Sequence, residues 1–314
     1  MGEAIIMSKK KSKKKNAGPP QPMIQLSQCM IVKNEEKNIE KALGWAKRIS
    51  TEQIVVDTGS TDKTVEIAER LGAKVFHFEW INDFSAAKNF AIEQATGNWI
   101  AFLDADEYFS DIDAKKLLIF LKRIQSDSQM RANYHALNCA IVNVDDNGQP
   151  ETTFDQERVF RNLPSVRYIG RVHERLDIDK ANIVEVDEIK IIHTGYSKAS
   201  LKETGKVIRN VELLRIELAD SPDSLDIKAY LADSLQMSED EKDQAEAGEL
   251  FLEVIAGGKN VVPDLLKKAY IHHIGKTIDD PGKKAECLDL CKKACEVIYG
   301  DKELERLYAR VKGL

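Results

Sequence analysis

Between Ile24 and Leu103, short apolar runs alternate with stretches whose apolar residues recur at helical spacing. Ile24–Val32 predicts a buried strand and Glu36–Ile49 a helix. Gln53–Asp57 predicts a second strand. Thr61–Leu71 predicts a helix with Asp62 near its start and Gly72 after its end. Lys74–Phe78 is a third strand, Phe84–Ala95 a helix closed by Thr96-Gly97, and Trp99–Leu103 a fourth strand. Strands alternating with helices predict an α/β domain, a mostly parallel sheet with helices on both faces. In such sheets ligands bind at the carboxyl ends of the strands.

Further along, Tyr134–Val144 and Thr152–Arg161 flank the turn signal DDNGQP and predict a hairpin. Short strands near Val166–Ile169 and Ile183–Ile192 are expected to extend the sheet. After Gly195 the strand signal stops. Ala199–Leu218, Ser224–Met237, Glu239–Ile255, Val262–Ile278, Lys283–Ile298 and Lys302–Val311 carry helical spacing. Breaks fall at Ser221-Pro222, Gly257-Gly258 and Asp280-Pro281-Gly282. This predicts an appended all-helical domain of stacked hairpins, close to the tetratricopeptide period. The expected domains are 1–22, 23–198 and 199–314.

Charge separates the first 22 residues from the rest. SKKKSKKK holds six lysines in eight positions, and AGPPQP then stops any helix. The segment reads as a disordered basic tail: a solubilising tail, or a weak tether to anionic lipid or an acidic partner. The whole chain carries −6, which argues against a nucleic-acid binder. No apolar run approaches the roughly 20 residues that a membrane-spanning helix needs. The expected location is cytoplasmic, with peripheral contact at the inner face of the membrane as an option through the tail. Five cysteines, Cys29, Cys139, Cys287, Cys291 and Cys295, fit a reducing compartment. The last three recur every four residues and fall on one helix face, either as small apolar residues or as a metal or redox stripe.

The sharpest chemistry lies in FLDADE, residues 102–107. Residues i and i+2 of a strand share a face, so Asp104 and Asp106 aim at one space if the strand persists. Two adjacent carboxylates with no internal cation repel, and a divalent metal removes the conflict. Oxygen ligands suit Mg²⁺ or Mn²⁺, especially when substrate phosphates complete the shell. The alternative is a solvated acid cluster. No GxxxxGK[ST] loop is present, and no GxGxxG follows the first strand.

Four blocks widen this reading: MIVKNEEKNIEKAL, IVVDTGSTDKTVEIAERLGAKV, NDFSAAKNFAIEQATGNWIAFLDADE and GRVHE. In order and spacing they resemble the family 2 glycosyltransferases, an inverting family with the GT-A fold. The resemblance covers residues 24 to about 196. HTGYS followed by RNVELLRIEL resembles the junction of a subgroup with a tetratricopeptide-like tail. That subgroup includes bacterial cell-surface glycan transferases and peptide S- or O-glycosyltransferases.

The resemblance implies a nucleotide-sugar donor, UDP-linked by family weight, and a Mn²⁺ or Mg²⁺ ion. It makes Asp106 the direct metal ligand, with Asp104 at the ribose or reaching the metal through water. His193, in IIHTGY, resembles the late metal-ligand histidine of GT-A folds. Asp57 falls where relatives hold the base, although Thr58 replaces a second acid. Asn34 and Glu35 border the base or ribose, and Lys88 neutralises diphosphate or touches the base. Inverting transfer needs a base for the acceptor proton. The HE pair places Glu174 in that role, with His173 positioning the acceptor or serving as the alternative base. Arg158 and Arg161 are expected to face acceptor or phosphate, and Trp80 and Asp83 to border the sugar pocket. Each of these polar residues also has a purely structural reading, as a cap, a turn or a surface ion pair.

The acceptor class stays open between a glycan, a lipid carrier and a peptide side chain. The helical domain suits either acceptor capture or a homodimer. Two other functions compete: a sugar nucleotidyltransferase and a non-catalytic nucleotide-sugar-binding scaffold. The first expects a Gly-rich loop after strand one, where MIVKNEEKN has no glycine.

Overall fold

A computed structural model describes residues 23–195 and 205–313. The basic tail and the helix start expected at Ala199 lie outside the described residues. Strands β1 (Leu26–Val32), β2 (Glu52–Asp57), β3 (Lys74–His77) and β4 (Trp99–Phe102) run parallel in the order β3-β2-β1-β4. β1 is buried along almost its whole length, which is why its apolar residues are near-continuous. Cys29 packs with α3 (Phe84–Glu93). Its neighbour Met30 packs with α1 (Ile39–Gly44) and α2 (Thr64–Arg70), so helices cover both faces.

The second half of the sheet is mixed. β5 is Glu107–Phe109, β6 Ala136–Val144 and β7 Pro150–Arg161. β6 and β7 form the expected antiparallel hairpin, and β7 pairs antiparallel with β4. The last long strand, β10 (Ile183–His193), runs parallel to β6, and β5 closes the far edge against it. The eight strands follow the order β3-β2-β1-β4-β7-β6-β10-β5.

β4 and β5 are neighbours in the chain but four strand steps apart. A flat sheet would separate them by ~19 Å. Five Cα steps from Phe102 to Glu107 reach at most ~17 Å when fully extended. The link is not extended, because Glu107 N–H donates to Asp104 O at 3.0 Å. The sheet therefore curls into a half-barrel, and residues 103–106 cross its mouth.

Two expectations are corrected. Val166–Ile169 does not extend the main sheet: β8 (Tyr168–Ile169) pairs only with β9 (Arg175–Leu176). The GRVHE residues form the tip between them, tied to α3 through Phe84 N–H, which donates to Arg171 O at 2.9 Å, and also to the helical domain. Val172 packs into the helical core, and Arg171 N–H donates to Glu217 Oε2 at 3.1 Å. The pattern reading also assigns nothing to 111–133, where α4 (Asp111–Ser126) and α5 (Ser128–Asn133) form. Ser110 caps α4 through Asp113 N–H, and Ala114, Leu117, Leu121 and Ile124 bury its inner face. Intervening lysines and arginine obscure that stripe in the sequence.

Six helices follow: α6 (Lys206–Asp220), α7 (Leu225–Leu235), α8 (Glu241–Gly257), α9 (Pro263–Thr277), α10 (Lys284–Val297) and α11 (Lys302–Lys312). Each packs on the next around one apolar core. Cys287 and Cys291 are buried in that core and Cys295 packs against it part-buried, the placement of small apolar residues.

Candidate active site

The carboxyl ends of the strands open into a cleft of ≈ 1060 Å³. Glu35, Lys88, Asp104, Asp106, Glu174 and His193 all line it.

Asp104 and Asp106 do not share a face, because the strand ends at Phe102. Asp104 N–H donates to Glu107 Oε2 at 3.0 Å, and this bond turns the chain. The two acids then diverge. Asp104 meets two cations: Arg158 Nη2 donates to its Oδ2 at 2.9 Å, and Lys88 Nζ lies 3.6 Å from Oδ1. Arg158 Nη2 also donates to the buried Glu107 Oε1 at 2.6 Å. Desolvation raises the Asp104 pKa, but Arg158 and then Lys88 outweigh it and hold the carboxyl well below the usual range. Protein cations thus remove the charge conflict at Asp104 without a metal. Burial prevails at Glu107 and pushes its pKa up against the pull of Arg158.

Asp106 heads a polar row that crosses β10, β6 and β7. Its Oδ2 lies 3.3 Å from His193 Nε2, and His193 Nδ1 lies 2.7 Å from Asn143 Oδ1. Asn143 Nδ2 donates to Thr152 Oγ1 at 2.7 Å, so Oδ1 is left to accept from the histidine. Thr194 N–H and Oγ1 both donate to Asp106 O, at 3.0 and 3.1 Å. Gly195 lies beneath this pair: a Cβ there would overlap the Asp106 carboxyl and come within 2.9 Å of His193 Nε2. Desolvation lowers the His193 pKa, but Asp106 outweighs it and holds the ring above the ordinary histidine value.

Elsewhere in the cleft, Lys88 of α3 is 2 % exposed, and its Nζ lies 2.6 Å from Glu174 Oε1. Burial lowers the Lys88 pKa, and Asp104 and Glu174 lift it above the usual lysine range. Glu174 therefore faces the cleft and pairs with neither Arg171 nor Arg175. His173 takes the left-handed backbone region (φ 54°), and its ring stacks on Tyr230 of α7 at 4.3 Å and 9°.

Residues 27–130 match the model of the glycosyl transferase family 2. The chain carries a family 2 glycosyltransferase domain. Over 232 residues it is 33 % identical to a TPR repeat-containing protein of Synechococcus elongatus, covering 68 % of this chain and 52 % of that protein. Over 196 residues it is 30 % identical to the SPbeta prophage-derived glycosyltransferase SunS of Bacillus subtilis, covering 60 % and 44 %. The chain thus spans about half the length of these relatives. Among solved structures, S. aureus TarS 1-349 in complex with UDP-GlcNAc aligns at a TM-score of 0.46 and 13 % identity, covering 91 % of this chain and 92 % of that one.

Several expected residues of the glycosyltransferase domain lie off the cleft. Asp57 is buried, and its carboxylate accepts the Gly59 and Ser60 N–H groups at 3.1 and 3.0 Å, leaving Thr58 to line the space. Asn34, at φ 58°, accepts Thr61 N–H at 2.8 Å and ties two strand ends together. Glu35 reaches the cleft, and Asn38 Nδ2 donates to its Oε2 at 2.8 Å. Trp80 packs on Phe84, Asp83 caps α3 through Ala86 N–H, and Arg161 stacks over Trp99. Sequence reasoning missed the second wall of the cleft. Lys206 and Arg209 of α6, Tyr230 of α7 and Lys268 of α9 bring the helical domain to the rim. No local signal marks them. Asn143, a polar residue amid the apolar run of β6, did carry one.

Proposed function

We propose that this protein transfers a sugar, with inversion, from a UDP-linked donor to an acceptor held between the sheet and the helical domain. The carrying observation is that two pairs line one cleft: Asp106 with His193, and Lys88 with Glu174. The donor set of Asp106 and His193 fits Mn²⁺, and Mg²⁺ less well. His193 Nδ1 is anchored on Asn143, which leaves Nε2 as a lone-pair donor beside a carboxylate oxygen. Among the described residues no third His, Cys, Asp or Glu completes a cage, so donor phosphates would supply the remaining positions. Asp104, held by Arg158 and Lys88, lies outside that pair and suits the ribose. When bound, the ion offsets negative charge on the departing diphosphate.

Glu174 is the acceptor base. Lys88 fixes its Oε1, and Oε2 has no partner among the described residues, which leaves it for the proton of an incoming hydroxyl or thiol. His173, braced by Tyr230, positions the acceptor. Isothermal titration of UDP with and without Mn²⁺ tests the donor site. Affinity is expected to fall at least tenfold without metal or in Asp106→Ala, and binding indifferent to both refutes the proposal. Glu174→Gln is expected to lower turnover by ~10²–10⁴ while UDP affinity holds.

A further inference from the structure

Arg209 stands out among the cations of the cleft. Lys88, Arg158 and Lys268 each have a carboxylate partner: Glu174, Asp104 with Glu107, and Asp233. Arg209 has none within 4.0 Å among the described residues, and neither have Lys33, Arg175 and Lys206; of these four only Arg209 buries a polar atom that lacks a hydrogen bond. Its guanidinium lies 4.9 Å from the centroid of Phe84, and Nη2 donates only to Asn210 Oδ1 at 3.3 Å. Its Nε is buried with no hydrogen-bond partner. A buried guanidinium nitrogen without an acceptor is costly, and a ligand anion would complete it.

Its position selects the ligand. Phe84, His173, Glu174 and Arg209 line the same cleft, and Arg209 is close enough to feel the charge of Glu174 and to act on His173. Asp106 and His193 form a separate pair in that cleft. An anion on Arg209 therefore sits with the base, on the side from which the nucleophile arrives. The planar fork takes two oxygens of a phosphate or a carboxylate. Arg175 and Lys206 line the cleft as well and add positive potential.

We propose that the acceptor carries an oxyanion, phosphate or carboxylate, close to its nucleophilic atom, and that Arg209 binds it. This rests on the glycosyltransferase reading above. The test saturates the protein with UDP and Mg²⁺, then titrates inorganic phosphate or acetate and follows binding by NMR. At least one anion is expected to bind, and which one does separates a phosphorylated from a carboxylated acceptor. Arg209→Gln is expected to weaken that anion at least tenfold, with UDP affinity held within twofold and an unchanged melting temperature. Arg209→Lys keeps the charge, loses the fork and is expected to fall between the two. The inference is overturned if neither anion binds, if Arg209→Gln binds it as well as the parent does, or if UDP affinity falls alongside. Failure of UDP to bind at all sinks the donor reading instead, and the anion titration without UDP still reports on Arg209.

Discussion

Replacing Arg158 with Met isolates the electrostatics under the acid link. Arg158 is 5 % exposed, and its Nη2 holds Asp104 at 2.9 Å and Glu107 at 2.6 Å. Removing one partner of a buried ion pair costs ~3–5 kcal/mol, because the other charge stays buried. Asp104 is two-fifths open and keeps Lys88, so most of the loss falls on Glu107, which is 2 % exposed. Glu107 retains the Asp104 N–H bond, which places the cost near the lower end, ~3 kcal/mol. At ~2–4 °C per kcal/mol, the melting temperature should drop by ~6–12 °C. Glu107 would then stay protonated to higher pH. An acid whose folded pKa is raised contributes stability that is complete below its unfolded pKa and is lost as pH rises through the folded value. The deficit of the variant should therefore shrink on acidification towards pH 5. Pairing Arg158→Met with Glu107→Gln removes the stranded charge and should recover most of the loss. Urea melts of the four proteins at pH 7 and pH 5 decide it. A single variant within 1 kcal/mol of the parent, or a double variant no better than the single, refutes the reasoning.

Glu52 should govern acid lability at the opposite end of the sheet. It accepts from Lys74 Nζ at 2.7 Å, Ser27 Oγ at 2.6 Å and Thr96 N–H at 2.6 Å. Desolvation opposes ionisation, but these donors prevail and bring its pKa down to about 2. Its contribution is present above the ordinary carboxylate value and is lost as pH falls through 4 towards 2; the ceiling of ~3 kcal/mol shrinks to ~1–2 with solvent screening. Glu52→Gln should flatten the acid limb of a stability–pH curve, and an unaltered limb contradicts this. Gly195→Ala should push Asp106 off His193, weakening UDP binding in Mn²⁺ at least tenfold with little change in melting temperature; unaltered affinity would show that the pair is not needed.

The first four strands and their helices are legible because buried parallel strands are written as apolar runs. α4 was missed because four basic residues break up its stripe. Asp104 and Asp106 both line the cleft, but not side by side on one strand face as the alternation suggests. Whether Asp104 and Asp106 share a face depends on where the strand stops, and the Glu107 carboxylate sets that from three residues away. The alternation in β7 aims Arg158 at acceptor or phosphate, whereas its guanidinium is bonded to Asp104 and the buried Glu107. Arg209 and Tyr230 reach the cleft only because Val172 and Glu217 dock α6 and the GRVHE tip together, a tertiary event with no local signature.

The four residues from Leu103 to Asp106 act as a tie-rod of fixed length between the two rims of the curled sheet. Such a tie couples the bend of the scaffold to the separation of its acids. A residue added there would let the rims spread and carry Asp106 away from His193, whereas the hairpin turn at 145–149 can lengthen without pulling on either. Variation in this fold should therefore gather in its free loops and spare the span that sets its gauge.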